Sequence, residues 1–120
     1  MTNYVNEFRE LQARIGAMNA SKGFSEADNI PEEYRYLYWI SKLALIDSES
    51  AEALDELRKG HAADERYYVD GKPEGVPSEI ADIVIRALHF AEEAGFDLWE
   101  VIDEKLRYND TRAHKHGKHF

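Results

Sequence analysis

The sequence predicts an all-α fold, a bundle of four to five helices in a single domain. Apolar residues recur at helical spacing in four separate segments, and no segment alternates with the two-residue period of a strand. Glycine and proline residues fall between these segments, where breaks in regular structure are expected. A length of 120 residues fits one domain, 1–120, with a small hydrophobic core.

The first two helices are predicted from apolar stripes and from the residues that follow them. The first covers about 3–20 and ends before Gly23. The second covers about 31–59, because Pro31 suits the first turn of a helix and Gly60 suits the position just beyond the last turn.

A polar connection over 61–77 separates the second helix from the third. It contains two glycines and two prolines and is long for so small a domain, so we expect an irregular and functional or mobile segment. The third helix is predicted to begin near Ser78, a favourable N-cap, and to end at Gly95.

The fourth helix is predicted to start at Asp97, where Glu100 completes a capping box, and to reach about residue 108 or 110. Trp99 within it is expected in the core. A basic tail over about 110–120 should follow, either holding an anion beside a cation site or simply solvated. Three histidines of this tail are better explained as solvated than as ligands of a soft metal; they are His114, His116 and His119.

Composition excludes several classes of function. A net charge of −9 opposes general binding to duplex nucleic acid. The lack of cysteine excludes disulfides, thiolate zinc sites and cysteine nucleophiles. No apolar run is long enough for a membrane span, and the first residues lack the pattern of a secretory signal, so we expect a cytoplasmic protein.

The third predicted helix carries a polar stripe on an otherwise apolar surface. Residues three or four apart share one face of a helix, and here they are Glu79, Asp82, Arg86, His89 and Glu93. An apolar helix is normally buried, and buried carboxylates without a partner are very costly. Glu79 and Asp82 therefore require a cation, which is either a metal ion or a basic side chain such as Arg86.

The second predicted helix carries a similar pair, Glu49 and Glu52, next to apolar residues. Two helices that each present a carboxylate pair can build a metal site inside a bundle. Oxygen ligands suit Mg²⁺, Mn²⁺ or Ca²⁺, and Mg²⁺ commonly binds substrate phosphates as well. The alternative is that these acids form a solvated face and make ordinary salt bridges.

Three segments, 42–60, 77–86 and 105–112, together resemble the motifs of the MazG-like nucleotide pyrophosphohydrolases. The first has Glu-x-x-Glu after an apolar run, the second has Glu-x-x-Asp at the start of an apolar helix, and the third has a lysine followed by an asparagine and an arginine. Each motif alone is weak, but their order and helical context make the resemblance fairly specific.

The resemblance implies hydrolysis of a nucleoside triphosphate to the monophosphate and pyrophosphate with Mg²⁺, for which Mn²⁺ is a possible substitute. It implies a helical homodimer or homotetramer whose helices complete each site. Transferred by position, the implied metal ligands are Glu49, Glu52, Glu79 and Asp82, with Glu49 and Glu52 also catalytic. The implied substrate-binding residues are Lys105, Asn109 and Arg112.

Several details stay open at the level of sequence. Glu49 is our preferred general base, because apolar surroundings should raise its pKa. One of four aromatic residues could stack on a base, although core or interface positions are the commoner fate; these are Tyr34, Tyr36, Tyr38 and Trp39. The substrate could instead be dUTP, dCTP or a phosphoribosyl nucleotide. A rival interpretation is a non-catalytic helical oligomerisation module whose acids form only salt bridges.

Overall fold

The computed structural model describes residues 3–112 and shows a mostly helical chain, as predicted. Four α-helices follow one another: α1 (Asn3–Ser21), α2 (Arg35–Arg58), α3 (Val76–Ala94) and α4 (Leu98–Asp110). Between α2 and α3 lie two short antiparallel strands, β1 (Tyr67–Val69) and β2 (Lys72–Glu74). Most of the predicted basic tail, with its three histidines, lies outside the described residues.

Helix α3 is the central element, packing against both α2 and α1. Its apolar composition explains this position, because Leu88 and Ala91 are 1% and 0% exposed. Helix α1 approaches closely at Gly16, where a Cβ atom would lie only 2.3 Å from Cγ of Glu92. The polar stripe of α3 is therefore held between neighbouring helices.

Helix α4 packs against α1 through aromatic and polar contacts. The ring of Trp99 lies 5.4 Å from that of Tyr4 and 5.8 Å from that of Phe8, between centroids. The Arg9 guanidinium donates to the Asp97 carboxylate at 2.8 Å. Trp99 is half-buried in this contact, in agreement with its predicted packing role.

Three predicted helix boundaries are confirmed. Helix α2 ends one residue before Lys59, and Gly60 follows with φ +96°. Gly95 ends α3 in the left-handed conformation that favours glycine. The carboxylate of Asp97 accepts hydrogen bonds from the backbone N–H groups of Trp99 and Glu100, at 3.1 and 3.5 Å, and so caps α4.

Two predicted helix starts were wrong. Pro31 is followed by a short 3-10 helix, and α2 itself begins only at Arg35. Ser78 does not cap α3, because the helix already begins at Val76 with Gly75, at φ +106°, as the N-cap residue. The Ser78 hydroxyl instead donates to the backbone carbonyl of the preceding strand, at 3.3 Å.

The connection over 61–77 is more regular than predicted, since it contains a β-hairpin. Asp70 and Gly71 both have positive φ, at 52° and 81°, which is the geometry of a two-residue type I′ turn. The Tyr67 hydroxyl donates to the Glu56 carboxylate at 2.9 Å, and this bond ties the hairpin to the end of α2.

The single chain buries few large apolar side chains and leaves many exposed. In the described part of the chain, only Leu88 among them is less than 2% exposed. Apolar residues of α2 and α3 that are at least 37% exposed are Tyr36, Leu37, Ile40, Leu43, Leu45, Leu54, Leu57, Ile80, Val84 and Ile85. Among residues 3–112, no helix has both the length and the apolar character needed to cross a bilayer.

Candidate metal centre

Packing of α2 against α3 brings carboxylates from the two helices together. Glu49 of α2 and Glu79 of α3 are only 7% and 8% exposed. Each of these residues and Asp82 offers an oxygen atom, and the three oxygens lie within 4.8 Å of one another. Glu49 of the α2 pair thus lies beside both members of the α3 pair, Glu79 and Asp82.

Glu52 lies at the exposed rim of this group. It lies outside the 4.8 Å set, but its carboxyl is near enough to those of Glu49 and Glu79 to form hydrogen bonds when one of them is protonated. The acidic cluster, defined here as Glu49, Glu52, Glu79 and Asp82, is therefore assembled within one chain. Its metal-binding role stays a prediction.

Arg86 supplies one internal counter-charge to the acidic cluster. Its Nε and Nη2 atoms each lie 3.0 Å from Oε1 of Glu49. Within residues 3–112 no other basic side chain forms an ion pair with these acids. One guanidinium faces four carboxyl groups, so the cluster carries excess negative charge unless it binds protons or another cation.

The acids of the cluster differ in how burial and this excess negative charge change their pKa values. Burial and the neighbouring carboxyls of Glu49 and Glu52 raise the pKa of Glu79 to about 8. Oε2 of Glu79 is buried and has no hydrogen-bond partner in the described part of the chain. Burial, reinforced by the charge of Glu49, also raises the pKa of Asp82. Burial and the neighbouring carboxyls therefore favour the protonated form of Glu79 near neutral pH.

The expectation that apolar surroundings raise the pKa of Glu49 was wrong. A hydrogen bond with Glu79, followed by the bond and charge of Arg86, outweighs burial and lowers the pKa of Glu49. Glu49 is thus the ionised member of the pair and Glu79 the protonated one. Of these two glutamates, Glu79 on α3 has the higher pKa and Glu49 on α2 the lower.

Neither family models, nor curated protein sequences, nor solved structures give a match to this chain. The chemistry of the cluster is therefore argued from its own geometry.

The donor set fits a hard divalent cation. All four groups offer oxygen atoms, which Mg²⁺, Mn²⁺ and Ca²⁺ prefer. One buried oxygen of Glu79 has no partner among the described residues, although buried polar atoms normally have one, and it is available as a ligand atom. Glu49, Glu79 and Asp82 would hold such an ion, with Glu52 at its solvent side.

The three predicted substrate-binding residues lie apart from the cluster in this chain. Lys105, Asn109 and Arg112 are exposed at the C-terminal end of α4 and just beyond it. The charged groups of Lys105 and Arg112 lie 5.4 and 5.6 Å from the centre of the Tyr108 ring. No hydrogen bond or ion pair within residues 3–112 joins them to the acidic cluster, so their role stays a prediction.

A cavity of about 390 Å³ adjoins the acidic cluster on the side of α1. Asp82 and Arg86 form one side, and Lys42 and His89 contribute nitrogen atoms on the others. The sequence motifs did not assign a function to these two nitrogen-bearing residues. For His89 the sequence contained a usable signal, because this residue lies on the polar stripe of α3. Lys42 is the first residue of the segment that contains the first acidic pair.

His89 also joins a buried network that holds the connection between α1 and α2. Its Nε2 atom lies 2.9 Å from Oγ of Ser25 and 3.6 Å from Oε1 of Glu93. The Glu93 carboxylate accepts bonds from the Ala27 backbone N–H and the Tyr38 hydroxyl. A hydrolytic Ser-His-acid triad needs the serine and the acid on different ring nitrogens, so this network is structural.

The four aromatic residues near the start of the second predicted helix divide into two groups. Tyr38 and Trp39 are partly buried, and the Trp39 ring packs against that of Phe90 at 5.1 Å. Tyr34 and Tyr36 are 54% and 61% exposed. The first two have the expected packing role, and the second two remain available for contact with another molecule.

Proposed function

We propose that this protein is a Mg²⁺-dependent nucleoside triphosphate pyrophosphohydrolase that forms the nucleoside monophosphate and pyrophosphate. The observation that carries the proposal is the convergence of Glu49, Glu79 and Asp82 from two packed helices, with Glu52 beside them and one buried oxygen unpartnered among the described residues. A cation or retained protons must offset the negative charge of these acids, and Mg²⁺ typically shares its shell between carboxylates and substrate phosphates. The resemblance of three sequence segments to MazG-like enzymes supports the same activity.

In the proposed reaction, water attacks the α-phosphorus and the bond from that phosphorus to the bridging oxygen breaks, releasing pyrophosphate. A bound Mg²⁺ supplies charge compensation for the phosphate oxygens and the leaving group. Glu49, Glu79 and Asp82 would hold the cation, and Arg86 pairs with Glu49 in the chain without metal. Glu52 is the exposed carboxylate beside them, so we assign it to orient the attacking water and take its proton.

The proposal includes a homodimer or homotetramer. Many large apolar side chains of α2 and α3 are exposed in the single chain, and exposed apolar patches mark sites of association. Residues of α4 from a second copy would then supply the phosphate-binding groups that lie apart from the cluster within one chain. A cytoplasmic location, where nucleoside triphosphates are abundant, is part of the same proposal.

Activity of two conservative variants tests the proposal. A panel of nucleoside triphosphates, including dUTP and dCTP, together with a phosphoribosyl nucleotide, is assayed for released pyrophosphate with Mg²⁺. We expect Glu52→Gln and Asp82→Asn each to reduce turnover by at least about a hundredfold, the scale of general acid–base and metal contributions, with helical content unchanged. The exposed Glu104→Gln on α4 is the control and should retain full activity.

The oligomerisation module is the second candidate, favoured by the Arg86–Glu49 ion pair and the exposed apolar surface. It predicts no thermal stabilisation by Mg²⁺ with nucleotide, whereas an enzyme is stabilised by ligands that bind its folded state. Absence of both Mg²⁺ stabilisation and pyrophosphate release across the whole panel would reject the enzyme in favour of this candidate.

A further inference from the structure

Arg86 lies at the boundary between the acidic cluster and the adjoining cavity. Both of its contacts fall on one oxygen of Glu49, and it also lines the cavity of about 390 Å³. The Arg86 side chain is 38% exposed, whereas the Glu49 side chain is only 9% exposed. The guanidinium therefore has solvent on one side and room to leave the carboxylate.

The cavity has the character of an anion site. Lys42 and Arg86 both line it, and the one acid among its lining residues, Asp82, belongs to the acidic cluster whose charge the proposed cation would offset. Nζ of Lys42 donates to the Phe24 carbonyl at 2.9 Å and has no carboxylate within ion-pair distance in the described part of the chain. A lysine that faces a cavity without an acidic partner can bind an incoming phosphate as a point charge.

A divalent cation and Arg86 compete for Glu49. Mg²⁺ binds oxygen ligands at about 2.0–2.1 Å, so an ion on Glu49 would place two positive charges close to the guanidinium. Repulsion is strong where burial lowers the effective dielectric constant. The same guanidinium is suited to a bidentate contact with a phosphoryl group.

We propose that Arg86 is a phosphate-binding residue that Glu49 holds in the metal-free protein and that metal binding releases into the cavity, where it acts with Lys42. This rests on the proposed function, because it needs both the cation and a phosphate-bearing substrate. Metal binding and phosphate binding are then positively coupled, since the ion creates the free guanidinium that the phosphate requires.

Calorimetric titration of Mg²⁺ alone is the first test. We expect Arg86→Gln to bind Mg²⁺ about tenfold more tightly than the wild type, because the internal competitor for Glu49 is gone. Arg107→Gln, which removes an arginine paired with Asp103 on the surface of α4, should leave the affinity unchanged. Equal or weaker Mg²⁺ affinity of Arg86→Gln would overturn the proposal.

Inorganic tripolyphosphate, which carries no base or sugar, is the second probe. With Mg²⁺ in excess, Arg86→Gln and Lys42→Gln should each bind it about tenfold more weakly than the wild type, and Arg107→Gln should bind it normally. With a chelator in place of Mg²⁺, Arg86→Gln should not differ from the wild type. Unchanged tripolyphosphate affinity of Arg86→Gln in Mg²⁺ would overturn the role of Arg86.

The wild type provides a measurement that does not depend on folding of the variants. Addition of Mg²⁺ should change the NMR signal of the Arg86 Nε–H group, and a signal that stays fixed while the protein binds Mg²⁺ contradicts the release. Failure of the wild type to bind Mg²⁺ or Mn²⁺ would instead reject the proposed function and this inference with it. Metal binding without the Arg86 effects rejects the inference alone.

Discussion

Glu79 lies in the first turn of α3 beside two carboxyls of α2, where burial raises its pKa to about 8. Glu49, equally buried, has a lowered pKa because Glu79 and Arg86 bond to it. Two glutamates of the same burial therefore hold different protonation states near neutral pH. At the scale of single residues, hydrogen-bond partners rather than burial alone decide which carboxyl stays ionised.

The raised pKa of Glu79 predicts how stability depends on pH without metal. The folded protein holds this proton more tightly than the unfolded chain, in which a glutamate has its ordinary pKa of 4.5. The stabilisation is therefore present at low pH and is lost as pH rises from about 4.5 through 8. Burial, with the neighbouring carboxyls of Glu49 and Glu52, sets this shift.

Urea denaturation of wild type and Glu79→Gln in a chelator measures this contribution. The difference in unfolding free energy between wild type and variant should fall as pH rises from 5 to 9, by at most about 1.4 kcal/mol per pH unit. Taking the difference cancels groups that titrate in both proteins, such as His89. A difference that stays constant, or that grows with pH, would show that Glu79 is not the protonated group.

At the scale of secondary structure, the start of α3 depends on Gly75. This residue has φ +106°, and a Cβ atom there would lie 2.4 Å from the carbonyl oxygen of Glu65. Its own carbonyl accepts the first helical bond, from the Glu79 N–H at 3.1 Å. Gly75 therefore affects both the path of the chain after the hairpin and the position of Glu79.

Gly75→Ala should destabilise the fold by of order 1–3 kcal/mol, because it adds backbone strain and a clash with backbone. It should also reduce the thermal shift with Mg²⁺, since α3 carries two of the acids. Gly23→Ala is the matched control, with φ +79° but no atom within 4 Å of an added Cβ. It should cost less, as measured by urea denaturation, and leave the Mg²⁺ shift intact; equal effects of both substitutions would contradict the role of Gly75.

At the scale of the whole molecule, the single chain buries few large apolar side chains and exposes many. Leu37 and Ile40 of α2 are 50% and 56% exposed, while Leu88 is the main large residue fully enclosed. Burial of apolar area contributes about 25 cal/mol per Å². Association of copies through α2 is therefore the expected means of stabilisation.

Light scattering after size-exclusion chromatography tests the association. The wild type should elute as a dimer or tetramer whose melting temperature rises with protein concentration. Ile40→Glu should shift it towards the monomer, because a charge would be buried at the interface. Val69→Glu on the hairpin, equally exposed at 51%, is the control and should not dissociate it. A monomeric wild type at all concentrations would refute the association.

Assembly also predicts that sites combine residues of two copies. Asp82→Asn and Arg112→Gln should each be nearly inactive, since one lacks an acid of the cluster and the other the proposed phosphate-binding group just beyond α4. Mixing the two variants under conditions of subunit exchange should restore part of the activity, because some sites then have both native residues. No recovery on mixing, with exchange confirmed, would contradict a site that combines Asp82 of one copy with Arg112 of another.

The sequence predicted what depends on local chemistry. Helical spacing located the four helices, and Gly60, Gly95 and Asp97 marked three of their ends correctly. It failed at Ser78, whose capping role Gly75 takes, and at the hairpin, although the Asp70-Gly71 pair was a readable turn signal. The four acids were predicted as a group because their spacing places each pair on one helix face.

Only the tertiary structure decided how those acids differ from one another. Which glutamate bonds to Arg86, which oxygen is left without a partner, and which cavity adjoins the cluster all depend on how α2 lies against α3. Spacing along one helix fixes the direction of a side chain, whereas its pKa and its partners arise from distances between helices. Those distances result from packing of the entire chain, and no local pattern of residues contains them.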